Sequence, residues 1–253
     1  MSISVVTIGK NIIKMGYCFW ESLQSCFPFA DEIIISEGYS KDDTYKYLEA
    51  FSKKYDSFIP IRLYQDEWET NSYVGEAITK ATEKVIQRAN CEYVYYLQLD
   101  EIIPEDLAMR IREVSSKPEF NSMRFPFYHF LNEWQPHKKP AYEEAIRMAR
   151  TSKFPKLKGD GWTFADIDPV YPANWLCKPI YHFGSVFPKT NDVKVIEHAK
   201  IYQNVPEYQD KMKVVIRQSK QPKVAYPRTS FNDFPQLARR FIGEAEYKLP
   251  DIT

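Results

Sequence analysis

The segment richest in chemical possibility is an apolar run that stops abruptly at acid: Tyr93-Val94-Tyr95-Tyr96-Leu97-Gln98-Leu99 leads directly into Asp100-Glu101. A run of that composition reads as a buried strand, and it delivers two carboxylates to the strand's C-terminal end. Carboxylates held there are costly to bury unless a cation pairs with them. The pattern therefore suits a divalent metal that bridges protein carboxylates to phosphate oxygens. The competing assignment is that Asp100 or Glu101 caps the helix that follows. Other phosphate-binding devices are missing: no G-x-G-x-x-G follows the first strand, and there is no Walker lysine loop. That argues against classical dinucleotide enzymes and P-loop NTPases.

The elements that must position those carboxylates follow a strand-helix rhythm. Ile3 to Ile8 is a strand ended by Gly9-Lys10-Asn11, and Gly16 to Phe27 carries Tyr17, Trp20, Leu23 and Phe27 at helical spacing before Pro28. Glu32 to Ser36 is a second strand, followed by a polar loop from Glu37 to Asp43. Thr44 to Tyr55 reads as a helix, Ile59 to Tyr64 as a third strand and Ser72 to Ala89 as a long helix. Tyr93 to Leu99 is the fourth strand, and a helix begins at Pro104. This alternation predicts right-handed crossovers and an α/β fold with a mainly parallel sheet, its ligand crevice at the strand C-terminal ends. After about Ser116 the rhythm changes to aromatic strand fragments, Ser122 to Phe130 and Pro179 to Phe183, separated by long connections. The expected organisation is a single domain overall, with an α/β half over 1–125 that carries the ligand crevice and a smaller, aromatic-rich half with a tail over 126–253. Phe234 to Tyr247 has the pattern of an amphipathic helix that packs on the domain, membrane contact being the alternative.

Composition narrows the partners. Lys plus Arg (34) equals Asp plus Glu (34), which gives no global field toward nucleic acid or an anionic membrane. Cys18, Cys26, Cys91 and Cys177 are scattered, without the spacing of a zinc site or a disulfide framework. No apolar run approaches the roughly 18 residues of a membrane span, and no signal peptide is recognisable at the start. A cytoplasmic protein, peripheral at a membrane if the tail makes such contact, is the expectation.

In element order, and in Ser36-Glu37-Gly38-Tyr39-Ser40-Lys41-Asp42-Asp43-Thr44, the chain resembles the GT-A glycosyltransferases, most of all family 2. That family carries D-D-G-S-x-D-x-T at this place; Glu37 stands here for an Asp. Its D-x-D motif is matched by Gln98-Leu99-Asp100, with Gln98 in place of the first Asp. Arg147-Met148-Ala149-Arg150 is similar to an R-L-F-R segment, whereas the family's A-R-N stretch is replaced by Ala81-Thr82-Glu83. The likeness runs well through about the first 115 residues and in patches thereafter.

The resemblance implies a nucleotide diphosphate sugar as donor and a glycan or other hydroxyl compound as acceptor. Thr7, Gly9, Glu37, Gly38, Gly75, Leu99 and Asp100 would form the donor site, Glu37 accepting from a uracil or guanine ring N–H. It further implies a divalent metal, Mn²⁺ or Mg²⁺, held by Asp100 with Glu101 outside it, and completed by His182 in Ile180-Tyr181-His182-Phe183-Gly184. Oxygen ligands with one imidazole favour Mn²⁺ somewhat. A lone histidine in an aromatic strand is otherwise a core or surface residue. Attack by a hydroxyl with single inversion requires a carboxylate base. Asp160, Asp166 and Asp168 are available; Asp166 is the choice by resemblance, since turn roles account for the other two. Trp134, Trp162 and Trp175 would stack on an acceptor sugar or belong to the core. A sugar nucleotidyltransferase and a non-catalytic nucleotide- or sugar-binding protein are the rival functions.

Overall fold

The computed structural model describes residues 1–69, 74–116, 121–131, 136, 142–153, 155–158, 161–165, 167, 179–187, 193, 234–242, 244 and 246–252. Asp160, Asp166, Asp168, Trp134, Trp175 and Cys177 lie outside them.

Strands β1 (Ile3–Gly9), β2 (Glu32–Glu37), β3 (Ile61–Gln65) and β4 (Tyr93–Tyr96) are joined by helices α1 (Phe19–Gln24), α2 (Thr44–Tyr55) and α3 (Val74–Ile86). The strands pair in parallel in the order β3-β2-β1-β4, as the alternation predicts. Beyond β4 the sheet becomes mixed. After β5 (Glu101–Ile102) and helix α4 (Glu105–Ser115) come β6 (Ser122–Leu131), β7 (Glu144–Arg150), a small β8–β9 hairpin (Lys156–Lys158, Thr163–Ala165) and β10 (Ile180–Ser185). Strand β7 inserts antiparallel beside β4, and β6, β10 and β5 follow outward, giving one eight-stranded sheet. Thus β6 carries the sheet across position 125.

Strand polarity explains the near-continuous apolar sequence of the first strands. Successive side chains alternate between faces, and helices cover both faces of a parallel sheet. Val5, Ile33, Ile35, Tyr93 and Tyr95 pack on one side with Phe19, Leu48, Phe51, Leu107 and Ile111 from α1, α2 and α4. Val6, Ile34, Val94 and Tyr96 pack on the other with Val85 and Ile86 of α3 and with Phe164.

The high aromatic content has its own place. Phe130, Tyr181, Phe183, Phe187, Phe234 and Phe241 form a third cluster, in which Phe130 stacks on Phe183 at 5.1 Å between centroids. The tail contributes Phe234, Ala238 and Phe241 to that cluster through a single 3₁₀ turn, Ala238–Arg240. Among the described residues of Phe234 to Tyr247 the expected amphipathic helix is not present, and apolar side chains of this stretch pack on other aromatics. Tyr247 closes the tail by donating to Glu21 Oε2 at 2.6 Å. No helix among the described residues is long and apolar enough to cross a membrane.

Two other elements are shorter than their sequence patterns. Helix α1 ends at Gln24, because 3₁₀-type bonds such as Cys26 N to Leu23 O and Phe27 N to Gln24 O tighten the chain ahead of Pro28. Strand β4 stops at Tyr96, and the chain turns so that the Glu101 amide donates to the Gln98 carbonyl at 3.0 Å.

At the ends of β2 and β3 a charged network fixes α3. Buried Asp66 accepts from Arg88 through both oxygens (2.5 and 2.7 Å) and from Ser36 Oγ (2.7 Å), with Lys84 Nζ at 2.7 Å. These donors, Arg88 first, hold the Asp66 carboxyl below the usual aspartate range. Its stabilisation is full above the unfolded-state value of about 3.9 and fades as pH falls through the lower folded-state value. Asp66→Asn is therefore expected to lower stability at pH 7 by about 1.5–3 kcal/mol. Urea unfolding should show that difference narrowing below pH 4, whereas a constant difference down to pH 2 would separate Asp66 from the acid limb.

Candidate functional site

The parallel register brings the ends of β1 to β4 to one edge of the sheet, as expected for a ligand crevice. Gly9 lies opposite Glu37 in register, and the Gly38 amide donates to the Gly9 carbonyl at 2.9 Å. A Cβ on Gly9 would meet Leu99 Cδ1 at 3.0 Å, so the absent side chain is what lets the β1 end approach the Gln98–Glu101 turn. Gly38 is tighter still: an added Cβ would meet the Trp68 indole at 2.8 Å. Gly75 is buried in the first turn of α3. Thr7 is fully buried in β1, and among the described residues its hydroxyl has no hydrogen-bond partner.

The polar loop after β2 is a brace. Fully buried Glu37 accepts from the amides of Ser40 (2.6 Å) and Tyr39 (3.1 Å) and from Gln65 Nε2 (3.0 Å). Tyr39 takes φ of 50°, a left-handed conformation that non-glycine residues rarely adopt. Three further side chains stitch this loop to the one after β1: Ser40 Oγ accepts from Asn11 N, Asp42 from Lys14 N and Thr44 Oγ1 from Ile12 N, all at 2.8–2.9 Å. The Ser, Asp and Thr of the motif thus rigidify the mouth of the crevice.

Asp100 crowns the turn that ends β4, and its carbonyl accepts from Phe183 N of β10 at 2.7 Å. Neither acid caps α4, whose N-cap is Pro104 with no side-chain bond. The backbone link brings β10 alongside, and His182 Nε2 lies 3.5 Å from Asp100 Oδ2. Adjacent ligands on one cation stand roughly 3 Å apart for bonds of about 2.1 Å, so this pair can hold a divalent ion from two sides. Among the described residues no group of three or more His, Cys, Asp and Glu side chains forms a ready-made metal cage.

Glu101 turns the opposite way, into the protein. It is fully buried and bonds to the equally buried Arg147 of β7. Arg147 also donates to the Trp162 carbonyl at 2.6 Å, and its guanidinium lies 5.1 Å from the Tyr96 ring centre. Burial pushes the Glu101 carboxyl up to about 7, with the Arg147 guanidinium pulling the other way. Burial also works against the charge of Arg147, and Glu101 outweighs it, keeping the guanidinium protonated.

Trp162, half-buried, stacks on Tyr142 at 5.0 Å, which occupies one of its faces within the protein. Beyond Tyr142 the ring series continues to His129 (4.6 Å) and from there to His182 (4.8 Å). His129 is the site residue that motif reading misses. A signal for it existed: it falls in the period-2 phase of Phe125 and Phe127, which places a polar ring on the buried face of β6. Burial, with the neighbouring His182, drives its pKa down to about 3 and keeps the ring neutral.

Parallel strand ends gathered at one edge, an acidic turn on the fourth strand and a histidine brought in from a late strand define an α/β fold with its candidate site at the strand C-terminal ends. No family model matches the chain. In sequence it is similar to the SPbeta prophage-derived glycosyltransferase SunS of Bacillus subtilis (strain 168), 23% identical over 193 residues, which cover 75% of this chain and 42% of the relative. Glycosyltransferase SunS of Bacillus phage SPbeta matches to the same extent. The chain thus spans less than half the length of these curated relatives. Among solved structures, S. aureus TarS 1-349 aligns with a TM-score of 0.47 and 13% identity over 84% of this chain and 69% of that one.

Removing one partner of the buried pair leaves an uncompensated charge. Arg147→Met is expected to cost about 3–5 kcal/mol, and Glu101→Leu/Arg147→Met to recover most of that loss. Chemical unfolding of the single and double variants measures it; a double variant as unstable as the single one would refute the coupling.

Proposed function

We propose that this protein is a glycosyltransferase that moves a sugar from a nucleotide diphosphate sugar to a hydroxyl of a glycan or other acceptor, by a metal-dependent, inverting reaction. The observation that carries the reading is the convergence of Asp100 and His182, 3.5 Å apart, at the crevice edge of the sheet. The similarity to SunS, a glycosyltransferase by name, supports the same class of activity.

In this reading Thr7, Gly9, Glu37, Gly38, Gly75 and Leu99 line the donor site. Thr7 supports the site from within β1, and Glu37 acts by holding the loop over residues 38–40 in shape. Asp100 and His182 hold the divalent ion, Mn²⁺ or Mg²⁺. When bound, that ion supplies charge stabilisation to the departing diphosphate. Opposite the leaving group, a carboxylate must take the proton of the attacking hydroxyl. Asp166 is assigned that role by its sequence position between Arg147 and His182. The half-buried Trp162 borders the acceptor side and offers its ring to a sugar.

Gln98, where the family motif has an acid, favours a second reading in which the fold binds a nucleotide or sugar without catalysis. Thermal unfolding with nucleoside diphosphates and nucleotide-sugars, with and without Mn²⁺, separates the two when followed by an assay of donor turnover. A ligand at 100 times its Kd raises stability by about 2.7 kcal/mol. The expected result is a Mn²⁺-dependent shift for one nucleotide together with turnover of its sugar conjugate. A shift without turnover would favour the binding protein, and no shift for any donor would refute the proposed function. Asp100→Ala is expected to abolish the Mn²⁺-dependent part of the shift while the fold persists; an unchanged shift would remove Asp100 from the metal site.

A further inference from the structure

His182 and His129 are direct cross-strand neighbours in the parallel β6–β10 pair, with ring centres 4.8 Å apart and planes inclined by 52°. His129 is 6% exposed, and its Nε2 is buried without a hydrogen-bond partner among the described residues. The ring does donate one hydrogen bond, to the backbone carbonyl of Tyr142. With Nε2 unoccupied, Nδ1 is the donor, so the proton is on Nδ1 and a lone pair is left on Nε2. A buried acceptor of this kind costs about 1–3 kcal/mol while unmet. Packing by itself gives no reason for it, since a phenylalanine would continue the Phe125–Phe127 series without that penalty.

We infer that His129 is a positioning residue for the metal site: its Nε2 accepts the proton carried by the His182 nitrogen that faces away from the cation. The inference rests on the reading of Asp100 and His182 as metal ligands. An imidazole that binds a metal through one nitrogen holds its orientation by donating from the other, to a carboxylate, a carbonyl or a similar acceptor. His182 turns Nε2 toward Asp100, so Nδ1 is the nitrogen that must donate. The adjacent strand offers an acceptor whose own orientation is already fixed by the Tyr142 carbonyl. At 4.8 Å between centres, modest rotation of the rings brings facing nitrogens into hydrogen-bond range. The result is a relay from the Tyr142 backbone through His129 to His182, which ties the ion-binding ring to strand β6.

The test compares two substitutions in the full chain. His129→Phe keeps an aromatic ring against Phe127 and Tyr142 but removes the acceptor, whereas His129→Gln places a carbonyl oxygen near the former Nε2. Mn²⁺ is titrated in the presence of UDP, and in a parallel series GDP, with the free aqua ion followed by electron paramagnetic resonance. Circular dichroism and thermal unfolding establish that each variant is folded. The expected result is a 10- to 100-fold weaker Mn²⁺ affinity for His129→Phe, with most of the affinity restored in His129→Gln. Wild-type affinity in folded His129→Phe would overturn the inference, as would equal losses in both variants, which would indicate packing alone. Asp100→Ala is measured beside them. If it loses Mn²⁺ while His129→Phe does not, the metal site stands and the positioning role falls; if the wild-type chain takes up no Mn²⁺, both fall.

Discussion

The buried contact between Glu101 and Arg147 is the constraint on which the crevice depends. An ion pair without solvent is tolerated only when each partner stays within reach of the other. That requirement locks the turn after β4 to the middle of β7, and Arg147 passes the restraint on to the Trp162 carbonyl. Because Glu101 is committed inward, its neighbour Asp100 is left at the crest of the turn, toward β10. Two adjacent acids therefore face opposite partners, Glu101 toward Arg147 and Asp100 toward His182, and the chain reversal between Gln98 and Glu101 separates them.

A similar division runs through the loop after β2. Its polar residues read like ligands, yet most of their hydrogen-bonding capacity is directed at backbone amides of the loop itself or of the loop after β1. Such bonds limit the conformations of the crevice mouth before any ligand arrives. A preformed site loses less freedom on binding, which is a sufficient reason for an acid-rich motif whose acids need not all touch the ligand. The close approach at Gly9 and Gly38 works to the same end, since side chains there would collide with Leu99 and Trp68.

The aromatic residues of the second half serve two different surfaces. Phe130, Phe183, Phe234 and Phe241 belong to a buried cluster that anchors the tail. Trp162, Tyr142, His129 and His182 form a separate series of touching rings that ends beside Asp100. The strand members of the two sets, Phe130 and Phe183 in one and His129 and His182 in the other, lie on β6 and β10 and face opposite ways, as alternation along a strand requires.

The sequence by itself determined the first four strands, the helices between them and their parallel order, because hydrophobic periodicity and chain-breaking residues act over a few positions and need no partner. It also singled out Asp100 and His182 as residues of interest, one by its place at a strand end and the other by resemblance. Tertiary structure decided the rest. Only the packed chain shows that Glu101 belongs to Arg147, 46 positions away, and that His182 lies beside both Asp100 and His129. The antiparallel insertion of β7 between β4 and β6 was likewise invisible, as was the replacement of a tail helix by one 3₁₀ turn against aromatic side chains. These outcomes depend on contacts between distant segments, where burial, charge and backbone pairing override local preference.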